Sequence, residues 1–217
     1  DRNTAVLFGD GAGAVVIEES KNKSDGEIYS FSNGLSSDNL EILEIPNFGS
    51  AMDRFNPDEA ARVRWTFDGQ EIFKSGVRAM AQASAEAIEK SGLSKEDVDI
   101  FIPHQANIRI VEALEKKLGL PNATTIKKVH RYGNTSAASI PTAFVDALEE
   151  GEIKGGEIAV FTAVGAGLAW GACAVRLGDR VTPINKSDAK LPDFDGTATD
   201  TIKRAIEYQV PDKLDKI

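Results

Sequence analysis

The sequence predicts an α/β protein with a duplicated fold, and one observation supports each part of this prediction. Between residues 98 and 177, short apolar runs typical of buried strands alternate with longer amphipathic stretches typical of helices. This alternation indicates a sheet with helices packed on its faces. In addition, AVLFGDGAGAVVIEES near the start resembles AVFTAVGAGLAWGACAVRL near the end, each a strand, a Gly-Ala-Gly turn and a second strand. This internal similarity indicates a duplicated fold.

The first part of the chain predicts short strands. The predicted strands are residues 4–9, 13–18, 27–32 and 63–67. The first two are joined by a glycine-rich turn and correspond to the hairpin that closes the second repeat. The remainder of a first repeat is not seen before them, so residues 1–20 are predicted to be the last strands of an otherwise absent N-terminal half.

The following part predicts one complete α/β unit, residues 21–177. Asp68 is the expected N-cap of a long helix that ends near Gly92. The later predicted elements are a strand at 98–103, a helix at 107–119, a strand at 124–129, a helix at 135–151 and strands at 157–164 and 169–177. Residues 178–217 form a third region, with a polar linker at 178–200 and a short amphipathic helix at 199–209.

The composition argues against several classes of function. The net charge of −9 disfavours general nucleic-acid binding. No apolar run approaches the roughly 18–20 residues of a membrane span, and the one cysteine, Cys173, suits a reducing compartment. We therefore predict a cytoplasmic protein. Six basic and two acidic residues lie between His104 and Arg131, which indicates either an anionic partner or a solvated helix face.

The stretch FIPHQAN, residues 101–107, brings a histidine to the end of an apolar strand. His104 lies between this strand and the next helix, where α/β sheets commonly bind ligands. Asn134, in RYGNTSAAS, is expected at the next strand-to-helix junction, and parallel neighbouring strands would bring the two junctions together. An imidazole and a carboxamide can both donate hydrogen bonds to one oxygen, as a developing enolate or oxyanion requires. The turn at 165–167 offers a backbone N–H to the same pocket.

Other interpretations of these residues stay open at this point. In these interpretations His104 does no more than donate a hydrogen bond to a nearby carbonyl oxygen, and Asn134 does no more than cap the helix after it. A metal site formed by His104 and His130 is disfavoured, because no carboxylate or cysteine cluster with ligand spacing accompanies them. We therefore predict a site without a metal.

The motifs PHQAN and GNTSAAS resemble those of the β-ketoacyl-[acyl-carrier-protein] synthase III family, in the thiolase superfamily. FGDGAGA, DGQEIFK and GAGLAWGA resemble the same family in the same order, so the resemblance covers about residues 1–177. It implies a thiolase-like layered α-β-α-β-α fold, of which this chain supplies the C-terminal half and one hairpin of the N-terminal half. Residues 178–217 lie outside the resemblance.

The resemblance also implies a reaction, a decarboxylative Claisen condensation with a Cys-His-Asn triad. A cysteine takes the acyl group from acyl-CoA. The malonyl group on the acyl carrier protein (malonyl-ACP) then loses CO2 and attacks that acyl group to give 3-ketoacyl-ACP, which initiates fatty acid synthesis. His104 and Asn134 match the two donors, and Gly165 and Ala166 match the loop of the oxyanion hole. Cys173, in the last strand, does not match the nucleophile, so the chain alone is expected to be inactive.

Further roles are implied by the resemblance, together with a cytoplasmic homodimer. No cofactor is implied, since acyl-CoA and malonyl-ACP are substrates. The residues that match contacts to CoA and its pantetheine arm are Arg2, Phe67, Gly69, Gln70, Phe73 and Ala106. The residues that match the docking surface for the acidic acyl carrier protein are Lys74, Arg109, Lys116 and Lys117. The alternatives are a thiolase-fold acyltransferase or ketide synthase with a different primer or acceptor, and a non-catalytic partner subunit.

Overall fold

The computed structural model describes residues 6–38, 40–45 and 65–181, together with positions 196, 197, 199, 200, 203 and 204. The chain divides into two units. Residues 1–46 and 65–184 form the larger one, and residues 47–64 and 185–217 form the smaller one. All strands and helices named below belong to the larger unit. The predicted helix at 199–209 and the linker at 178–200 lie largely outside the described residues.

The described part of the larger unit contains strands and helices that alternate as predicted after residue 98. The strands are β1 (Glu27–Leu35), β2 (Leu43–Glu44), β3 (Thr66–Phe67), β4 (Ile100–Pro103), β5 (Thr124–Thr125), β6 (Ile158–Gly165) and β7 (Ala169–Arg176). The α-helices are α1 (Gly69–Lys90), α2 (Ile108–Leu118), α3 (Val129–Tyr132) and α4 (Ser139–Glu149).

Five strands form one sheet, in the order β1-β7-β6-β4-β5, and β2 pairs with β3 separately. β4 is parallel to both of its neighbours, β5 and β6, whereas the pairs β6-β7 and β7-β1 are antiparallel. Pro103 pairs with Thr162, so the carboxyl ends of β4 and β6 lie at the same edge of the sheet. This arrangement confirms the α/β class and places the loop after β4 where ligand sites commonly form.

Helix α1 covers one face of the sheet. Asp68 caps it as predicted, because its side chain accepts hydrogen bonds from the backbone N–H groups of Gln70 and Glu71 at 3.1 and 3.0 Å. The buried side of the helix is rich in alanine, which lets it lie close to β7 and β1. Met80 and Phe101 are fully buried in the core on this side, and each contributes roughly 1.5–3 kcal/mol through its burial.

Helix α4 covers the opposite face near β4. Ile100 and Ile102 pack there with Ala143 and Ala147. Successive residues of β4 therefore contribute to different cores, and the strand is buried on both sides, as expected of a central parallel strand. The β1 end of this second face is open among the described residues, since Phe31 is 64% exposed.

The strands predicted at 4–9 and 13–18 are not formed in the described residues. Residues 13–18 have no strand pairing, and Val16 is 91% exposed. Upstream of them, only an isolated parallel bridge between Phe8 and Asn134 is present. A strand requires a hydrogen-bonded neighbour, and the part of the chain that the structure describes provides none for this stretch. The prediction of a hairpin here is therefore wrong for this structure.

The strand predicted at 124–129 is shorter than expected. The backbone N–H of Ile126 still donates to the carbonyl oxygen of Phe101 at 2.9 Å. The N–H of Lys128, in contrast, donates to the side-chain oxygen Oε1 of Gln105 at 2.8 Å. The backbone thus leaves the sheet and forms α3. Asn134 consequently follows a short helix and not a strand.

Candidate active site

His104 lies directly after β4, at the edge where the parallel strands end. Its backbone N–H donates to the carbonyl oxygen of Thr162 at 2.8 Å, which continues the pairing with β6. Its ring nitrogen Nδ1 lies 2.5 Å from Oγ of Ser139, the first residue of α4. Ser139 is 2% exposed, and its Oγ also accepts a hydrogen bond from the backbone N–H of Gln105 at 3.2 Å. The ring is therefore held between the end of a strand and the start of a helix.

Burial determines the protonation state of His104. Removal of the ring from water disfavours its charged form and lowers the pKa of His104 from 6.5 to about 4. At neutral pH the imidazole is uncharged, so it has one N–H donor and one acceptor nitrogen. This form can donate a hydrogen bond to a carbonyl or enolate oxygen.

Asn134 is held by a bridge to the N-terminal part of the chain. Its backbone N–H donates to the carbonyl oxygen of Leu7 at 2.8 Å, and its own carbonyl oxygen accepts from the N–H of Gly9 at 3.0 Å. In the side chain, Oδ1 accepts a hydrogen bond from the backbone N–H of Ser136 at 2.9 Å. This bond orients the amide. Its oxygen is already used, so Nδ2 is the atom that can donate to a bound molecule.

Glycines allow residues 6–13 to approach the segment that carries Asn134. A Cβ atom at Gly9 would overlap the backbone carbonyl oxygen of Tyr132. Gly133 has a φ of 68°, a left-handed conformation that favours glycine. The glycines of the FGDGAG stretch are therefore explained by close packing against residues 132–141 rather than by a turn between two strands.

Gln105 connects the two loops. Its side chain is 2% exposed and makes three hydrogen bonds with the backbone. Nε2 donates to the carbonyl oxygens of Pro103 at 2.7 Å and Ile126 at 3.1 Å, and Oε1 accepts from the N–H of Lys128 at 2.8 Å. One of these groups precedes the histidine, and the other two lie on the segment that leads to the asparagine. The position of each loop therefore depends on the other.

An ion-pair network holds the same segment against the end of α4. Lys128 is 5% exposed and lies 2.6 Å from Glu150 and 2.9 Å from Glu152. Burial alone would lower the pKa of Lys128, but the hydrogen bonds to the two glutamates outweigh burial and raise it. Arg131 pairs in addition with Asp146 at 2.9 Å. The segment before Asn134 is thus fixed by charged contacts as well as by Gln105.

Three predicted site segments lie at one edge of the sheet. His104 and Asn134 both bind the stretch 136–139, the first through Oγ of Ser139 and the second through the N–H of Ser136. The turn with Gly165 and Ala166 begins at the end of β6, beside the carboxyl end of β4, and both of its residues are exposed.

Cys173 lies on β7, on the face of the sheet opposite α1. It pairs in register with Phe31 on one side and Phe161 on the other, and it lines a shallow depression of about 430 Å³. Burial raises the pKa of the Cys173 thiol. Since the thiolate is the reactive form, a raised pKa makes this cysteine a poor nucleophile at neutral pH.

The described residues contain neither a metal-type cluster nor a membrane-spanning helix. No three His, Cys, Asp or Glu side chains among them are arranged to hold a metal ion. No helix in the described ranges combines the length and the apolar character needed to cross a bilayer.

Two models of one protein family together match more than half of the chain. The family described as 3-oxoacyl-[acyl-carrier-protein (ACP)] synthase III C terminal matches residues 88–177, and 3-oxoacyl-[acyl-carrier-protein (ACP)] synthase III matches residues 1–36. The first match includes both His104 and Asn134. The chain belongs to the β-ketoacyl-ACP synthase III family, for which 3-oxoacyl is the equivalent name.

Members of the synthase III family from several bacteria are similar to the chain. It is 48% identical over 212 residues to beta-ketoacyl-[acyl-carrier-protein] synthase III 2 of Vibrio cholerae, a match that covers 95% of the chain and 56% of that relative. It is also 48% identical over 179 residues to beta-ketoacyl-[acyl-carrier-protein] synthase III of Bacillus pumilus, covering 82% of the chain and 52% of the relative. The chain therefore spans about half the length of the curated relatives it matches. The Vibrio match extends beyond residue 177.

Solved structures of two synthase III enzymes and of one priming ketosynthase share the fold. The enzyme from Pseudomonas aeruginosa superposes with a TM-score of 0.72 at 33% identity, over 82% of the chain and 53% of that protein. The enzyme from Aquifex aeolicus superposes with a TM-score of 0.69 at 39% identity, over 81% and 52%. The priming beta-ketosynthase of the R1128 polyketide pathway gives a TM-score of 0.64 at 31% identity, over 70% and 45%. These similarities confirm the thiolase-like fold.

The structure describes all but one of the residues that are predicted to contact substrates. Arg2 lies outside the described residues. The other predicted CoA contacts are Phe67 on β3, Gly69, Gln70 and Phe73 on α1, and Ala106 in the loop after β4. The predicted carrier-protein contacts are Lys74 on α1 and Arg109, Lys116 and Lys117 on α2, and all four are exposed. Their roles stay predictions.

Three residues that hold the donors were not among the predicted site residues. Gln105, Ser139 and Gly9 lie within the motifs PHQAN, GNTSAAS and FGDGAGA. A polar residue next to a candidate histidine, directly after an apolar strand, is a usable sequence signal for Gln105. Ser139 and Gly9 act through contacts with residues far away in the sequence, which one sequence does not reveal.

Proposed function

We propose that this chain carries the His/Asn part of a β-ketoacyl-ACP synthase III, which condenses an acyl-CoA primer with malonyl-ACP to give 3-ketoacyl-ACP and so initiates fatty acid synthesis. The observation that carries the proposal is that both side chains have an N–H group available as a hydrogen-bond donor. His104 is neutral, and Asn134 already uses its oxygen, so each offers an N–H group. Both bind the stretch 136–139, which supports a common target for the two groups.

The proposed step is the loss of CO2 from the malonyl thioester. As the bond to the carboxylate breaks, its electron pair forms an enolate on the thioester carbonyl. Hydrogen bonds from His104 and Asn134 to that oxygen stabilise the developing negative charge. A backbone N–H of Gly165 or Ala166 is proposed to stabilise the oxyanion formed in acyl transfer.

The second part of the reaction requires a cysteine that carries the acyl group. Cys173 is not proposed for this role, because its thiol pKa is raised and it lies within the β7 pairing. The enolate carbon is proposed to attack an acyl-cysteine that this chain does not supply. The 217-residue chain alone is therefore expected to be inactive as a condensing enzyme, and only the decarboxylation of malonyl-ACP, which needs no cysteine, is proposed for it.

The proposed substrate contacts are those implied by the family. CoA and pantetheine are proposed to contact Arg2, Phe67, Gly69, Gln70, Phe73 and Ala106. The acidic carrier protein is proposed to dock on Lys74, Arg109, Lys116 and Lys117, whose charges would accelerate association. A cytoplasmic homodimer, catalysis without a cofactor, and a division into residues 1–20, 21–177 and 178–217 complete the proposal.

The second candidate is a ketide synthase with a different primer or acceptor. It is supported by the similarity to the priming beta-ketosynthase of the R1128 pathway, at 31% identity. Both candidates use a decarboxylation, and they differ in the acyl-CoA that primes the reaction or in the acceptor. Competition among acyl-CoA esters of different chain length would distinguish them.

Decarboxylation of malonyl-ACP tests the proposal on the 217-residue chain itself. Malonyl-ACP that loses CO2 and gains a proton becomes acetyl-ACP, which mass spectrometry follows directly. We expect His104→Ala and Asn134→Ala each to lower the rate by about 100- to 1000-fold, the usual effect of losing one donor to an oxyanion. His130→Ala and Asn122→Ala are matched controls at exposed positions and should leave the rate unchanged.

A second reaction mixture adds acetyl-CoA to the same samples. We expect no 3-ketoacyl-ACP from the chain alone. A wild-type decarboxylation rate no higher than that of the His104→Ala, Asn134→Ala double variant would reject the catalytic proposal and favour a non-catalytic partner subunit. Condensation that disappears in Cys173→Ala would instead assign the nucleophile to Cys173.

A further inference from the structure

Ser139 contacts His104 but is not one of the two proposed donors. Its Oγ accepts a hydrogen bond from the backbone N–H of Gln105 at 3.2 Å and lies 2.5 Å from Nδ1 of His104. Because Ser139 is 2% exposed, water does not offer its hydroxyl a ready alternative partner. The hydroxyl is thus bonded to two consecutive residues of the loop after β4.

The direction of the bond between Ser139 and His104 follows from the number of protons available. A backbone N–H can only donate, so Oγ is the acceptor towards Gln105. The serine hydroxyl has one proton of its own, and among the described residues the acceptor within reach is Nδ1 of His104. A buried O–H without an acceptor is unfavourable, so Ser139 donates to Nδ1.

We propose that Ser139 is a positioning residue that fixes His104 as the tautomer with its proton on Nε2. A ring nitrogen that accepts a hydrogen bond carries no proton, so a neutral imidazole must then carry it on the other nitrogen. This role of Ser139 deepens the proposed function. Its consequence for catalysis rests on that function. It explains why His104 presents a donor, and not a lone pair, to a thioester oxygen.

The surroundings of Ser139 also favour the neutral ring. Ser139 is the first residue of α4, an 11-residue helix, and the positive end of the helix dipole disfavours an imidazolium beside it. The burial that lowers the pKa of His104 acts in the same direction. Neutrality alone leaves both tautomers available, so the Ser139 hydroxyl is what selects between them.

NMR of the imidazole nitrogens tests the proposal directly. The sequence contains two histidines, so a His130→Asn background leaves His104 as the single signal. At neutral pH we expect the Nε2–H form to predominate. Ser139→Ala should shift the population towards Nδ1–H and lower decarboxylation by about 10- to 100-fold, less than the loss of a whole donor. Ser139→Thr, which keeps the hydroxyl, should restore the Nε2–H form.

A matched control is Ser84→Ala, which removes another fully buried serine hydroxyl, bonded to the carbonyl oxygen of Met80 at 2.8 Å in α1. It should leave the tautomer unchanged. An Nδ1–H form in the His130→Asn chain, or one tautomer population shared by Ser139→Ala and Ser84→Ala, would overturn the proposal. If Ser139→Ala does not fold, Ser139→Cys replaces it in this comparison, because a thiol is a weaker hydrogen-bond donor than a hydroxyl. The spectrum of the His130→Asn chain still tests the predicted tautomer. A chain that shows the Nε2–H form without any decarboxylation would reject the proposed function alone.

Discussion

The loops that carry His104 and Asn134 end at the same edge of the sheet but are held in different ways. His104 follows a strand that is buried on both sides, and its partners Thr162 and Ser139 are 1% and 2% exposed. Asn134 is bonded through its backbone N–H to Leu7 and through its carbonyl oxygen to Gly9. These two residues lie in an N-terminal strip, residues 6–13, that is only partly buried. The His104 loop is therefore held by buried residues of the core, and the Asn134 loop depends on a contact with a distant segment.

This difference has consequences for dynamics. Buried hydrogen bonds open only when much of the domain unfolds, whereas bonds in an exposed strip open by local fluctuation. The amide proton of His104 should thus exchange with solvent more slowly than that of Asn134. The two amide protons serve as separate reporters of the two loops. Of the three changes below, the first should affect both loops, the second should affect the Asn134 loop, and the third tests the burial of the His104 ring.

Gln105→Leu should have the largest effect, because it loosens both loops at once. The substitution removes three buried hydrogen bonds to the backbone. The groups left unpaired should lower the free energy of unfolding by about 3–5 kcal/mol. Urea denaturation measures this loss, and hydrogen exchange should become faster at both His104 and Asn134.

Gln82→Leu is the matched control for this change. Gln82 is exposed on α1 and donates to Oε1 of Glu86 at 2.8 Å, so its replacement should change stability by no more than about 0.5 kcal/mol. Equal losses for the two variants, or faster exchange at only one loop, would contradict the connecting role of Gln105.

Features of the fold and the site that depend on local patterns are predicted well from the sequence, whereas contacts between distant segments are not. The alternation after residue 98 and the cap at Asp68 depend on local periodicity and local hydrogen bonds, and both are confirmed. The strands at 4–9 and 13–18 depend on a pairing partner that local pattern does not specify. His104 and Asn134 are recognisable by residue type, whereas the contact of Ser139 joins residues 35 positions apart.

Gly9→Ala should act on the Asn134 loop alone. A methyl group there would overlap the carbonyl oxygen of Tyr132, so the strip must move away from Asn134. We expect decarboxylation to fall by about 10- to 100-fold, equivalent to about 1.4–2.7 kcal/mol of transition-state stabilisation. Exchange at the Asn134 amide should accelerate, while exchange at His104 should stay unchanged.

Gly171→Ala provides the comparison for this variant. A methyl group at that position would have the carbonyl oxygen of Ser32 as its nearest neighbour, at an ordinary contact distance of 3.5 Å. Its activity should match that of the wild type. If Gly9→Ala also left the activity and the Asn134 amide unchanged, the bridge to the N-terminal strip would not be what holds this donor.

Mild acid should lower the free energy of unfolding through His104. The unfolded chain takes up a proton at His104 near pH 6.5, but the folded chain does so only near pH 4. The unfolded state therefore binds more protons between these values, and stability falls as the pH is lowered through this window. From about pH 7.5 to about pH 5 the contribution of His104 amounts to about 2 kcal/mol.

Replacement of His104 by glutamine isolates this contribution. His104→Gln has no titrating ring, so its free energy of unfolding should fall by about 2 kcal/mol less than that of the wild type over the same pH change. His130→Gln, at an exposed position, should retain the wild-type loss. Urea denaturation at the two pH values measures all three chains. Identical acid sensitivity in His104→Gln and the wild type would mean that the ring is not buried in its neutral form, and the two loops would then differ less than their contacts indicate.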